Sequence, residues 1–115
     1  MGDRAAKDAL FEGLASVAKA LANGRRAEIV ELLSQGERSV EDVAEAIEQS
    51  VANTSHHLRT LAGAGLLRSR RQGTHILYTL TGERVEELWQ AVRAGHDATR
   101  ELKRRGWEAP PETTD

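Results

Sequence analysis

The 115-residue chain contains no cysteine. Disulfides, thiol redox sensing and cysteine-ligated zinc are therefore excluded within it. Aromatic residues are almost as scarce, with two Trp, one Tyr and one Phe making up 3% of the sequence. The core must then be assembled from Ala, Leu, Val and Ile, which favours helices. Proline occurs only as Pro110-Pro111, so nothing before residue 110 interrupts a helix by that route. No run of about 18 apolar residues is present, which excludes a membrane-spanning helix. The opening Met1-Gly-Asp-Arg-Ala-Ala-Lys-Asp lacks the apolar centre of a signal peptide. A cytoplasmic location is the default expectation from these absences. The chain also has no Gly-rich phosphate loop, no Cys nucleophile and no His-Glu-x-x-His spacing. Acidic pairs such as Glu41-Asp42 and Glu86-Glu87 read as solvated helix faces. No enzyme, no cofactor and no metal site are expected.

What is present is an uneven distribution of charge. Overall there are 16 Lys plus Arg against 18 Asp plus Glu. Between Gln49 and Gly82, however, lie four arginines, three histidines and no acid. Subtracting those four arginines leaves 12 basic against 18 acidic residues, net −6, elsewhere. Such a chain is close to neutral yet presents one polarised face, which is what an anionic partner responds to.

The order of residues within that window narrows the partner to DNA. Ser50 is a good N-cap, and Val51, Thr54, Leu58 and Leu61 recur at helical spacing, predicting an inward face. The opposite face carries Ala52, Asn53, His56, Arg59 and Thr60, flanked by Ser55 and His57. These side chains are short and hydrogen-bonding, suited to close approach to base edges, where Asn and Arg have good donor geometry. Gly65 in Ala-Gly-Leu-Leu supplies a left-handed helix stop. Leu67 and Ser69 then alternate with Arg68 and Arg70, while Ile76, Tyr78 and Leu80 alternate with Leu77 and Thr79. Alternation on both sides of a Gly-bearing turn predicts a β-hairpin with the cationic tip Arg71-Gln72-Gly73-Thr74-His75. A basic hairpin after a helix with such a face is a winged helix-turn-helix. The predicted DNA-binding residues are Ser50, Asn53, Ser55, His56 and Arg59 on the helix, with Arg70, Arg71, Gln72 and Thr74 on the wing. The alternative is a winged-helix protein-interaction module without DNA binding, for which Glu, Lys or apolar groups would be expected on these surfaces.

The stretch from Ser50 to Tyr78, with its Ser-His-His-Leu core, Ala-Gly-Leu stop, Arg-Arg-Gln-Gly wing tip and closing Tyr, resembles the ArsR/SmtB winged-helix repressors. Leu21-Ala-Asn-Gly-Arg-Arg-Ala-Glu-Ile-Val-Glu-Leu-Leu is similar to that family's second helix, with Asn23-Gly24 where an Asp-Pro or Ser-Pro pair is usual. The resemblance runs from about Leu10 to about Leu102. It looks most like the subgroup in which this domain precedes a rhodanese domain, judged by Gly-Glu-Arg-Ser-Val-Glu-Asp before the third helix. The resemblance implies a cytoplasmic, homodimeric repressor of transcription that occupies a promoter operator.

The remaining segments predict a mainly α fold with a small β-hairpin, in the order α-α-α-α-β-β-α. Leu10, Leu14, Val17, Ala18 and Leu21 form a stripe on a first helix over about 5–22. A second helix runs to Ser34, carried by Ala27, Ile29, Val30, Leu32 and Leu33. Ser39 caps a third helix with Asp42 as a shortened capping box, and Val40, Val43, Ala44 and Ile47 face inward. A final helix spans about 82–105. One domain, residues 5–105, is expected, followed by a polar tail, residues 106–115.

Val85, Leu88, Trp89, Val92, His96, Thr99 and Leu102 form a heptad-like seam on that last helix. The small head and wing cannot cover this seam and that of the first helix together. A two-fold homodimer through the first and last helices is expected, its interface including Leu10, Leu14, Val17, Leu88, Trp89, Val92 and His96. Two-fold symmetry would set two recognition helices about one DNA turn (~34 Å) apart, matching a palindromic operator.

Many regulators of the resembled family answer to transition metals, and the resemblance shows where their ligands would lie. Those positions hold Gly82, Arg84, Gly95 and Ala98, and the third helix opens Ser39-Val40-Glu41-Asp42-Val43 without a thiol. His56 and His57 point about 100° apart and cannot chelate together, His75 is on the wing, and His96 alone is too few donors. Any inducer is expected to be an unidentified small molecule near Trp89 and His96, or a separate protein such as a sulfur-transfer partner.

Overall fold

The computed structural model describes residues 2–112. Its elements, in chain order, are α1 (Gly2–Leu21), α2 (Gly24–Leu33), β1 (Arg38–Ser39), α3 (Val40–Ile47), α4 (Val51–Gly63), β2 (Leu67–Gln72), β3 (His75–Leu80) and α5 (Glu83–Arg104). The five helices and the hairpin read from sequence are present. A two-residue strand, β1, is added between the second and third helices, too short to leave an alternating pattern. The sheet has the order β1-β3-β2, with both neighbours antiparallel to β3.

Local chemistry sets the boundaries. Asn23, Ser39 and Ser50 each occupy an N-cap and accept from the backbone N–H three residues on, at Arg26, Asp42 and Asn53. Each satisfies an otherwise orphaned donor of the first turn. α4 ends at Gly65, whose φ of 83° permits paired closing bonds from Gly65 N to Ala62 O and Leu66 N to Leu61 O. α5 ends the same way at Gly106, with Gly106 N donating to Lys103 O and Trp107 N to Leu102 O. The expected tail thus begins with two residues that close the helix. Glu48, in the turn between α3 and α4, takes φ 56°, the left-handed region that disfavours a side chain.

The core lies where α2, α3 and α4 converge under the sheet. Ile29, Val30, Leu33, Val43, Ile47, Leu58 and Leu61 are buried there, joined by Leu66, Leu67, Tyr78 and Leu80 from the hairpin side. Of the inward face read for α4, Thr54, Leu58 and Leu61 are buried, but Val51 is 49% exposed. Val51 is the first residue of the helix, flanking the buried stripe and ahead of the turns that meet the core. Ile76, on the same alternating row as the buried Tyr78 and Leu80, is exposed because the hairpin projects past the core at its tip.

α1 and α5 are joined to this body over only part of their length. On α1, Ala20 is buried and Val17 and Leu21 are partly so, while Leu10, Phe11 and Leu14 are exposed, Leu14 at 55%. On α5, Trp89 is 8% exposed and its indole N–H donates to Glu31 Oε1 of α2 at 2.8 Å. Arg93 Nη1 reaches the same carboxylate at 2.8 and 3.0 Å. Leu88, Val92 and Leu102, one face further round, remain exposed. Among the described residues no helix is long and apolar enough to cross a membrane.

Candidate nucleic-acid interface

α4 is held at both ends and at its middle. Ser50 fixes the start, Gly65 the end, and Thr81 carries the link onward to the hairpin. Its backbone N–H and hydroxyl donate to Leu66 O at 3.0 and 3.2 Å, and the hydroxyl also donates to Gly65 O at 2.9 Å. The wing is therefore tied directly to the C-terminal cap of α4. At mid-helix, Arg26 of α2 donates from Nε to Ala20 O at 2.6 Å and from Nη2 to Lys19 O at 3.2 Å, capping α1. Its Nη1 lies 3.5 Å from His57 Nδ1. Burial, first, and then the neighbouring Arg26 and His56 hold the His57 pKa below its usual range. A neutral imidazole with Nδ1 as acceptor fits this contact. His57 thus bonds to a neighbouring helix and does not join His56, whose ring lies 6.1 Å away and tilted by 54°.

This anchoring leaves one face of α4 free. Ser50, Ala52, Asn53, His56 and Arg59 are exposed, and Ser55 and Thr60 are partly exposed. Among the described residues, the Asn53 side-chain amide and the Arg59 guanidinium have no protein partner, the Asn53 backbone N–H being taken by Ser50. The Thr60 hydroxyl is turned back onto His56 O at 3.1 Å. The exposed Val51 adds an apolar group beside Ser50 that the periodicity had assigned to the core.

On the wing, Gln72 pairs with His75 across a two-residue loop, Gly73-Thr74, with Gly73 at φ 62°. Glycine at the first loop position suits a twisted two-residue hairpin. Arg71, Gln72, Thr74 and His75 are exposed there. Residues opposite one another share a face, so Arg71 lies with Ile76 and Ser69 with Tyr78, while Arg70 lies with Leu77 and Arg68 with Thr79.

Arg70 departs from expectation. Its Nε donates to Glu37 Oε2 at 2.8 Å and its Nη2 to Glu37 Oε1 at 2.7 Å, with Gln72 Oε1 a third acceptor at 3.1 Å. The Arg70 bond holds the Glu37 carboxyl below its ordinary range, and Glu37 raises the Arg70 pKa in turn. His75 Nδ1 similarly lies 3.6 Å from Glu41 Oε2. The wing is free of acid in sequence but not in space.

The expected dimer residues Leu10, Leu14, Val17, Leu88, Val92 and His96 lie on the outer parts of α1 and α5. Val17 is half-buried and the others are exposed. Trp89 is buried within its own protomer, where its indole N–H donates to Glu31 Oε1. Beside it, Leu21, Ala27, Trp89, Val92, Arg93 and His96 line an open groove of about 450 Å³.

Where the resembled family would hold a metal, the fit fails on donor chemistry. Gly82, Gly95 and Ala98 offer no side-chain donor, and Arg84 is cationic. Among the described residues no three His, Asp or Glu side chains converge.

Three helices ending in an exposed, anchored α4, followed by a hairpin pinned to its cap, define a winged helix-turn-helix. Residues 23–69 match the model of the bacterial regulatory protein arsR family. The chain belongs to this family. It is 44% identical to the HTH-type transcriptional regulator Rv0324 of Mycobacterium tuberculosis over 91 residues, 79% of this chain but 40% of that protein. It is 41% identical to a cadmium resistance regulatory protein CadC homolog of Staphylococcus aureus, covering 75% of this chain and 74% of that one. The homodimeric winged helix-turn-helix DNA-binding domain Mb0332 of Mycobacterium bovis, a solution structure, superposes with a TM-score of 0.78. Its identity is 40%, over 90% of this chain and 94% of that one.

Proposed function

We propose that the chain is a sequence-specific DNA-binding regulator acting as a homodimeric repressor that occludes a palindromic promoter operator. The observation that carries this reading is the free face of α4, with Asn53, His56 and Arg59 unburdened by acids and the helix fixed at three points. Ser50, Asn53, Ser55, His56 and Arg59 then lie in the major groove, and the wing lies on the adjacent backbone or minor groove. Val51 and Ala52 can meet thymine methyls beside them.

Homodimerisation is supported by the exposed apolar rows of α1 and α5, which a soluble protomer does not ordinarily leave open. The homodimeric state of Mb0332 supports the same assembly. Residues 5–105 form the functional unit, with residues 106–115 as an appendage. The cadmium regulator's name describes that protein; soft ions prefer thiolates, and this chain has none. A small molecule in the groove beside Trp89 and His96, or a separate protein, is the better candidate for an inducer. The cytoplasm is the fitting location for such a regulator.

Gel shift and anisotropy with duplexes from the promoter region of its own gene test the reading. Arg59→Ala should weaken specific binding by ~1–3 kcal/mol and relax sequence preference. Equal weakening on every sequence would move Arg59 to the phosphates. Absence of binding to any duplex would leave the protein-interaction module as the reading.

A further inference from the structure

The polarity of the wing is set from outside the hairpin. Glu37 stands just before β1 and 33 residues from Arg70, yet the two form a bidentate pair. Leu77 of the central strand is the register partner of Ser39 on one side and Arg70 on the other. The pair therefore crosses β3 and clasps the two edge strands of the sheet to each other, with Gln72 closing the third bond. Exposed ion pairs generally contribute little, but a fork-to-fork arginine–carboxylate contact is the exception because its geometry is fixed.

This arrangement conflicts with a role in phosphate binding. A neutral pair releases no counterions when it meets a backbone. The Nε and Nη2 edge that would fork onto a phosphate is already occupied. Withdrawing Arg70 toward DNA would also leave the Glu37 carboxylate, which shares the exposed surface with Arg68, facing the same backbone. Arg71 differs on each count. It lies on the opposite face of β2 with Ile76, nearer the loop, and has no acidic partner among the described residues.

Resting on the DNA-binding reading above, we infer that Arg70 is a positioning residue, not a DNA ligand. With Glu37 it forms a strut that fixes the wing against the start of α3, and the wing's phosphate contact falls to Arg71.

The test is the salt dependence of binding to a labelled duplex from the promoter region, alongside amide hydrogen exchange of the free protein. Arg71→Ala should lower the log–log salt slope by about one and leave wing exchange unchanged. Arg70→Ala should leave the slope unchanged, weaken binding several-fold and accelerate exchange in β2 and β3; Glu37→Ala should accelerate the same exchange without lowering the slope. The double alanine variant should exchange no faster than either single one. The exchanged pair, Glu37→Arg with Arg70→Glu, should restore both protection and affinity. A slope lowered by about one in Arg70→Ala, with the exchanged pair as weak as that variant, overturns the strut alone. A wild-type protein that binds no duplex overturns the DNA reading and this inference with it. Unchanged wing exchange in both single variants overturns the strut without reference to DNA.

Discussion

Thr54 lies on the inner face of α4 and is 0% exposed, and among the described residues its Oγ1 is the buried side-chain atom without a hydrogen-bond partner. A buried hydroxyl in that state costs about 1–3 kcal/mol of lost hydration. Valine has the same branched shape and nearly the same helix propensity, so Thr54→Val should remove the penalty without a cavity or strain. The expected gain is about 1–2 kcal/mol. For a chain of this size that raises Tm by roughly 4–10 °C, taking ~4–8 °C per kcal/mol at 60–100 residues and the lower end here. Urea unfolding of both proteins at one matched concentration should show a higher midpoint at unchanged slope. Thr54→Ser is the control, since it keeps the hydroxyl and deletes a buried methyl, and it should cost about 1 kcal/mol. DNA affinity should not change in Thr54→Val, because the side chain points away from the free face. A neutral or destabilising Thr54→Val would refute the argument by showing that the hydroxyl has a partner after all.

Three further outcomes are expected. The native His57 pKa lies below the unfolded value, so as pH falls from about 6.5 the unfolded chain takes up the proton first. Stability should be full above that pH and decline as pH drops through the native pKa; His57→Gln, which keeps an acceptor, should flatten the decline in pH-dependent urea titrations. Leu14→Glu or Leu88→Glu should sediment as monomers, lose operator affinity and keep their helicity; wild-type monomers at micromolar concentration would refute the two-fold assembly. Zinc or nickel at micromolar levels should not release the protein from DNA, and stoichiometric release abolished by His96→Ala would show that His96 is a ligand.

The helices and hairpin were legible because each is specified by neighbours in sequence. Caps at Ser39 and Ser50, the Gly65 stop and the 3.6-residue stripes act over one or two turns. What escaped was set by groups far along the chain. β1 has only two residues, too few for any period, and without it nothing places Glu37 beside Arg70. Trp89 has helical spacing suited to the α5 seam, but a carboxylate on α2 decides which way it turns. Val51 fits the inward stripe by angle alone and fails because it precedes the turns that touch the core. For the candidate interface, the residues of α4 were readable one by one, whereas the wing's free charge was overcounted by the arginine that Glu37 neutralises.

The attachment of α5 has a consequence for the order of folding. Its three bonds to Glu31 join residues 58 and 62 positions apart, whereas α2 to α4 and the hairpin assemble from adjacent segments. Closing long loops costs entropy that only later contacts recover, so the reading head can form before α5 docks. A chain emerging in order would complete its α4 and wing first. The exposed apolar row of Leu88 and Val92 would take its final place on the body only when the Trp89 indole reaches Glu31.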